Sequence, residues 1–200
     1  SRSICFELST IFIFNYFIPD RKDSTDNSVK EKSILNFTSK FKNIKMNTAS
    51  INKILSETVL KFNGESVRNI EPLPASGSDR RYFRIFSESG KTIIGVYNNN
   101  ISENSTYYSY TESLQTIGTK VPKILFKDNS GEFYLLEDLG DLNLLQLLEN
   151  DKKLNGQITE KSLFHYRRAL SDLVHIQLEA DKVIDYSITY QASVFSRKSM

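Results

Sequence analysis

A chain of 200 residues has room for one good-sized domain, and a hydrophobic share of 39% is ordinary for a globular protein. The net charge of +2 is too weak a balance for the concentrated basic face that nucleic-acid binding requires. Cys5 is the only cysteine, which excludes an intrachain disulfide and a thiolate zinc cluster, and two histidines, His165 and His175, leave little material for a metal site. A single cysteine fits a reducing compartment, and the cytoplasm is the expected location.

Residues 1–45 mix Ile, Phe, Asn, Lys and Ser with little periodicity, and the composition shifts at Met46. The expectation is a leader that is disordered or not native to the product, with Met46 as the true start. The run "LSTIFIFNYFI" (8–18) is 11 residues long. It has the length of a secretory core, but no small-x-small cleavage site follows it. It is also short of the roughly 20 residues that span a bilayer, so no membrane role is assigned.

From Met46 the elements follow in order. Ile51, Ile54, Leu55, Val59 and Phe62 recur at steps of three and four, the spacing of one helix face. Thr48 or Ser50 can cap this helix and Gly64 can end it. "IEPLP", "RYFRIFS" and "TIIGVYN" read as three strands of an antiparallel meander over 70–98, with a turn at "ESGK". Ser102 then caps a helix through about Ile117, with Tyr107, Tyr110, Leu114 and Ile117 on one stripe. "VPKILFKDN" and "GEFYLLEDLG" make two more strands around "DNSG". Beyond Gly140 the chain is helical, first "LNLLQLLEN" and then a long helix with Leu163, Tyr166, Leu170, Leu173 and Gln177 along its stripe. The fold class is α+β.

Two stretches carry candidate chemistry. In "LPASGSDRRYFRIF" (73–86), Ser76, Gly77, Ser78 and Asp79 form either a phosphate-cradling loop or a plain hairpin turn. Small residues let backbone N–H groups approach an anion, but a single Gly in a turn is common. Arg80 and Arg81 adjoin the loop. Neighbours on a strand point to opposite faces, so only one of the two can face phosphate; the other faces solvent or a helix. In "LLEDLGD" (135–141), Glu137, Asp138 and Leu139 follow a strand, and Asp141 stands where a helix N-cap belongs.

The order of elements, with "PASGSDRRYFRI", "TIIGVYN", "VPKIL" and "YLLEDLGDLNLLQLL", resembles the aminoglycoside phosphotransferase and choline kinase-like superfamily over roughly residues 48–190. Within it, the sequence looks most like the bacterial anomeric sugar kinases that phosphorylate N-acetylmuramate and N-acetylglucosamine. The resemblance implies a protein-kinase-like fold. Residues 46–140 would be a five-stranded antiparallel small lobe with a helix, and 141–200 the start of a truncated helical large lobe. It implies ATP and Mg²⁺ as cofactors and a sugar or aminoglycoside-like substrate. Ser76, Gly77, Ser78, Asp79, Arg80 and Arg81 would cover the phosphates. Glu137, Asp138 and Leu139 would form the hinge along the adenine edge, with Asp138 or Asp141 at the ribose; for Asp141, capping is the favoured role.

Several features depart from that family. Many kinases place a lysine on strand three, paired with a Glu on the next helix. Here Gly95 or Tyr97 lies near that position, Lys91 comes too early, and Glu112 has no evident cationic partner. "LVHIQLEADK" (173–182) superficially matches the catalytic loop His-x-Asp-x-x-x-x-Asn, but Gln177 and Lys182 replace the Asp and the Asn. His175 is therefore read as structural, and His165 has no constellation around it. The Mg²⁺ ligands and catalytic loop are expected beyond residue 200, so no catalytic or metal residue is assigned and these 200 residues are expected to be inactive alone. A non-catalytic nucleotide-binding module is the alternative, and a small α+β interaction domain the blander one.

Overall fold

The computed structural model describes residues 46–74 and 79–190. The expectations for residues 1–45 and for Ser76, Gly77 and Ser78 fall outside the described residues. Helix α1 (Thr48–Asn63) opens the fold. Its N-cap is Asn47, not Thr48 or Ser50; the Asn47 side chain accepts from the Ser50 N–H at 2.8 Å. Strands β1 (Val67–Pro72), β2 (Arg81–Ser87) and β3 (Thr92–Tyr97) then form the expected meander. Helix α2 (Ile101–Thr116) follows, capped by Asn100 in place of Ser102. Strands β4 (Ile124–Lys127) and β5 (Phe133–Glu137) complete one antiparallel sheet in the order β1-β2-β3-β5-β4. Helices α3 (Leu144–Asn155) and α4 (Glu160–Glu179) end the regular structure, apart from two short 3-10 turns.

The pleat of the central strands decides what lies on each side. Phe83, Ile85, Ile93 and Tyr97 meet Ile51, Leu55 and Val59 of α1. Tyr82, Ile94, Val96, Tyr134 and Leu136 meet Tyr107 and Tyr108 of α2. A helix of α1's length is marginal alone in water. Complete burial of a Val, Leu or Ile side chain contributes about 1.5–3 kcal/mol, so packing on the sheet holds it. The sheet is covered on both sides, and β1 and β4 are its edges. Pro72 sits on edge strand β1, where its missing N–H leaves no ladder bond unmade.

Two groups outside the main core fix α2. At its start, Asn98 Nδ2 donates to Asn104 Oδ1 at 3.0 Å, while Asn104 Nδ2 donates to the carbonyls of Asn98 and Gly131. This buried network joins the β3–α2 turn to the β4–β5 turn. At its end, Leu114 packs with Ile176 and Ala180, and Ile117, Val121 and Ile184 flank them. The layers thus run α1, sheet, α2, α4.

The stripe expected on α4 holds in part. Leu163, Tyr166 and Leu173 are half-buried, but Leu170 is 61% exposed and Gln177 is also exposed. The most buried residues of α4, Ser162 and Ile176, lie off that stripe. His175 has the structural role expected of it, with Nε2 2.8 Å from the Ile117 carbonyl.

Gly95 lies where Leu55 of α1 packs down on the sheet. A Cβ there would lie 2.7 Å from Ile85 Cδ1 and 2.8 Å from Leu55 Cδ2. Gly95→Val should therefore destabilise the fold by about 1–3 kcal/mol through overpacking, although valine is the better strand former. Urea unfolding measures this; equal or greater stability of the variant would contradict the packing described.

Candidate functional site

Arg80 and Arg81 go to opposite sides of the sheet, as the pleat demands. Arg81 turns towards α1, where Nη1 donates to the Met46 carbonyl at 3.1 Å and Nη2 to Thr48 Oγ1 at 2.8 Å. Its guanidinium also lies 5.3 Å from the Phe83 ring centre. Arg81 thus clamps the start of α1 and is turned away from the α2 side.

Arg80 turns towards α2. Its side chain is only 4% exposed, and Nη2 is 2.9 Å from Glu103 Oε1 in the first turn of that helix. The guanidinium stands 5.1 Å from the Tyr107 ring centre. Burial alone would lower the guanidinium pKa, but the phenols of Tyr134 and Tyr82 and the Glu103 carboxylate outweigh it and hold the pKa above its usual value. Arg80 is a fixed cation. The phenols beside it share the dry environment: burial raises Tyr134 well above the usual tyrosine value and pushes Tyr108 up to about 12.

On strand β3, Ile94 and Val96 face α2, while Tyr97 faces α1 and Gly95 packs against Leu55. The side chains that β3 turns to α2 therefore bring no charge to that face. Tyr82, Val96 and Tyr134 form one cross-strand row, and the Arg80 guanidinium lies against α2 beside it. The acid that meets a sheet cation is Glu103. Glu112 is a surface carboxylate paired with Lys127 at 2.6 Å. Lys91, 72% exposed, pairs with Glu65.

The segment after β5 is tied back to the sheet by an arginine that the sequence reading had not singled out. Arg84 Nε donates to Asp138 Oδ2 at 2.8 Å and Nη2 to Asp138 Oδ1 at 3.2 Å; Nη1 donates to Asp141 Oδ1. The Asp138 side chain is 5% exposed and also accepts the Gly140 N–H at 2.9 Å. Asp138 is thus committed to protein partners. Asp141 is not the N-cap of α3. Asn143 caps it, in a reciprocal box with Gln146. Asp141 is drawn instead to Arg84. Glu137 closes the β4–β5 pair, its N–H donating to the Lys123 carbonyl at 2.9 Å. Leu139 is 40% exposed. Asp79, at the described edge of the hairpin, is also exposed.

The sequence thus brings Arg80, Glu103 and four tyrosines together on the α2 side of the sheet, and Arg84, Asp138 and Asp141 at its β5 end. Among the described residues, no group of three or more His, Cys, Asp or Glu is placed to hold a metal ion. No helix among them is long and apolar enough to cross a membrane. No protein-family model matches the chain, and no curated protein matches it significantly.

The Arg84 network has a pH signature. Burial pushes the Asp138 carboxyl up, but the Gly140 N–H, the Thr92 hydroxyl and Arg84 together outweigh it and hold the pKa below its usual value. A depressed folded-state pKa gives stability that is present above the unfolded value and is lost as pH falls through the folded one. Unfolding followed from neutral pH down through the ordinary carboxylate range, about pH 4 and below, should lose stability. Asp138→Asn should lose less of it across that window. An unchanged acid dependence in the variant would show that the network does not contribute.

Proposed function

We propose that the chain carries the nucleotide-binding lobe of an ATP-dependent phosphotransferase with a protein-kinase-like fold, whose acceptor is a hydroxyl of a sugar or related small molecule. The observation that carries this reading is the buried Arg80–Glu103 pair. Phosphoryl transfer is mainly positioning and charge stabilisation, and the enzyme must hold a cation where the phosphates lie. Protein kinases take that cation from a strand-three lysine paired with an acid on the next helix. Here Val96 has no charge to offer, and Arg80 brings a guanidinium to the same face of the sheet from the residue just before the neighbouring strand. Its planar fork suits phosphate oxygens. Glu137 to Leu139 then supply backbone for the adenine edge.

The known components of this chemistry that the chain lacks also shape the proposal. "LVHIQLEADK" continues helix α4 into a 3-10 turn and holds no Asp-and-Asn pair at the catalytic spacing. The described residues offer no ready Mg²⁺ cluster. These 200 residues are therefore proposed to bind nucleotide without transferring phosphate. A non-catalytic nucleotide-binding module is the second reading, favoured by the uncharged Val96.

Thermal unfolding with ATP and with adenosine tests this. Bound ligand at a hundredfold excess over Kd stabilises by about 2.7 kcal/mol, which is easily seen. ATP should stabilise the chain more than adenosine does. Arg80→Met should remove that preference, and Arg81→Met should lower the stability of the unliganded protein but keep the preference. No stabilisation by ATP would overturn the nucleotide reading. ATP-dependent phosphorylation of a sugar by these residues alone would overturn the proposed inactivity.

A further inference from the structure

Arg84 reaches further than a neighbouring-strand contact. It lies on β2, while Asp138 follows β5, and β3 runs between those strands. At about 4.8 Å per strand step, the side chain crosses about 10 Å of sheet on the α2 side. There it lies in a cross-strand row with Ile94 and Leu136. At the far side it grips two carboxylates three residues apart. Asp138 and Asp141 flank Gly140, whose φ of 90° makes the turn out of the sheet. The same Asp138 carboxylate holds the Gly140 N–H. The α3 cap, Asn143, lies only two residues past Asp141. One guanidinium thus holds both sides of the turn that joins the sheet to the following helices. An ionised, two-point hydrogen bond of this kind is both strong and directional.

We propose that Arg84 is a positioning residue of the nucleotide site. By gripping Asp138 and Asp141 it fixes the backbone of 137–141 against the sheet and couples nucleotide binding to the setting of α3. This rests on the nucleotide-binding reading above. The coupling predicts that nucleotide and latch support each other: bound ATP tightens the Gly140 turn, and a loosened turn weakens ATP.

The test combines ATP titration by calorimetry with amide hydrogen exchange on the full chain. Arg84→Lys keeps the charge but loses the fork, and Asp138→Asn keeps an acceptor for Gly140 but loses the ion pair. Each should weaken ATP about tenfold, the loss expected for one charge-assisted hydrogen bond. The losses in the double variant should be less than additive, because both substitutions remove the Arg84–Asp138 contact. Exchange at Gly140 and Leu142 should speed up in each variant, and ATP should slow it in the unmodified chain. Faster exchange at Gly140 with unchanged ATP affinity, or fully additive losses in the double variant, would overturn the coupling and leave the nucleotide reading standing. Failure of the unmodified chain to bind ATP would remove both.

Discussion

Cations on a sheet covered on both faces must find partners, and β2 and its approach carry three of them. Leaving a charge buried without one costs several kcal/mol. Each arginine answers in its own way. Arg81 uses the carbonyl and hydroxyl at the start of α1, Arg80 uses a carboxylate and aromatic faces on α2, and Arg84 uses two carboxylates beyond β5. The three choices tie the sheet to the helix before it, the helix within it and the helices after it. The pleat sends Arg81 to one face and leaves Arg80 and Arg84 on the other, where they reach different partners.

Burying a salt bridge is not in itself a stabilising act, since desolvation offsets much of the attraction. The Arg80–Glu103 pair is therefore more telling as a commitment of position than as a source of stability. Strand β2 and helix α2 must keep a fixed relation for the charges to remain compensated. The surface pairs, Lys91 with Glu65 and Lys127 with Glu112, carry no such constraint and contribute little.

Periodicity made much of the architecture legible. The aromatic and β-branched residues of "RYFRIFS" and the three-and-four spacing after Met46 predicted strand and helix where they occur, and turn glycines marked their ends. What escaped was whatever depends on residues distant in sequence. Glu103 stands 23 positions from Arg80, and nothing local marks it as a partner; Glu112, further along the helix, drew attention instead. Asp141 has the chemistry of a cap, yet an arginine 57 residues earlier outcompetes the helix for it. On α4 the sequence pattern placed Leu163, Tyr166 and Leu173 correctly but extended the stripe to Leu170 and Gln177, which are exposed, and passed over Ile176, which packs on Leu114 from α2. Beside the loop at Ser76 to Ser78, Arg80 and Arg81 turn to opposite faces of the sheet; the alternation of a strand made that legible, but not their partners on α1 and α2.

The asparagine network at the start of α2 gives that helix two unlike ends. Its first turn is held by directional bonds from Asn98 and Asn104 that tolerate little displacement. Much of the anchoring of its last turn is non-directional apolar contact around Leu114 and Ile176, which can slide by fractions of an ångström at low cost. The end of α2 that carries Glu103 is thus the one whose place is set by bond geometry, and the acid that faces Arg80 inherits that setting.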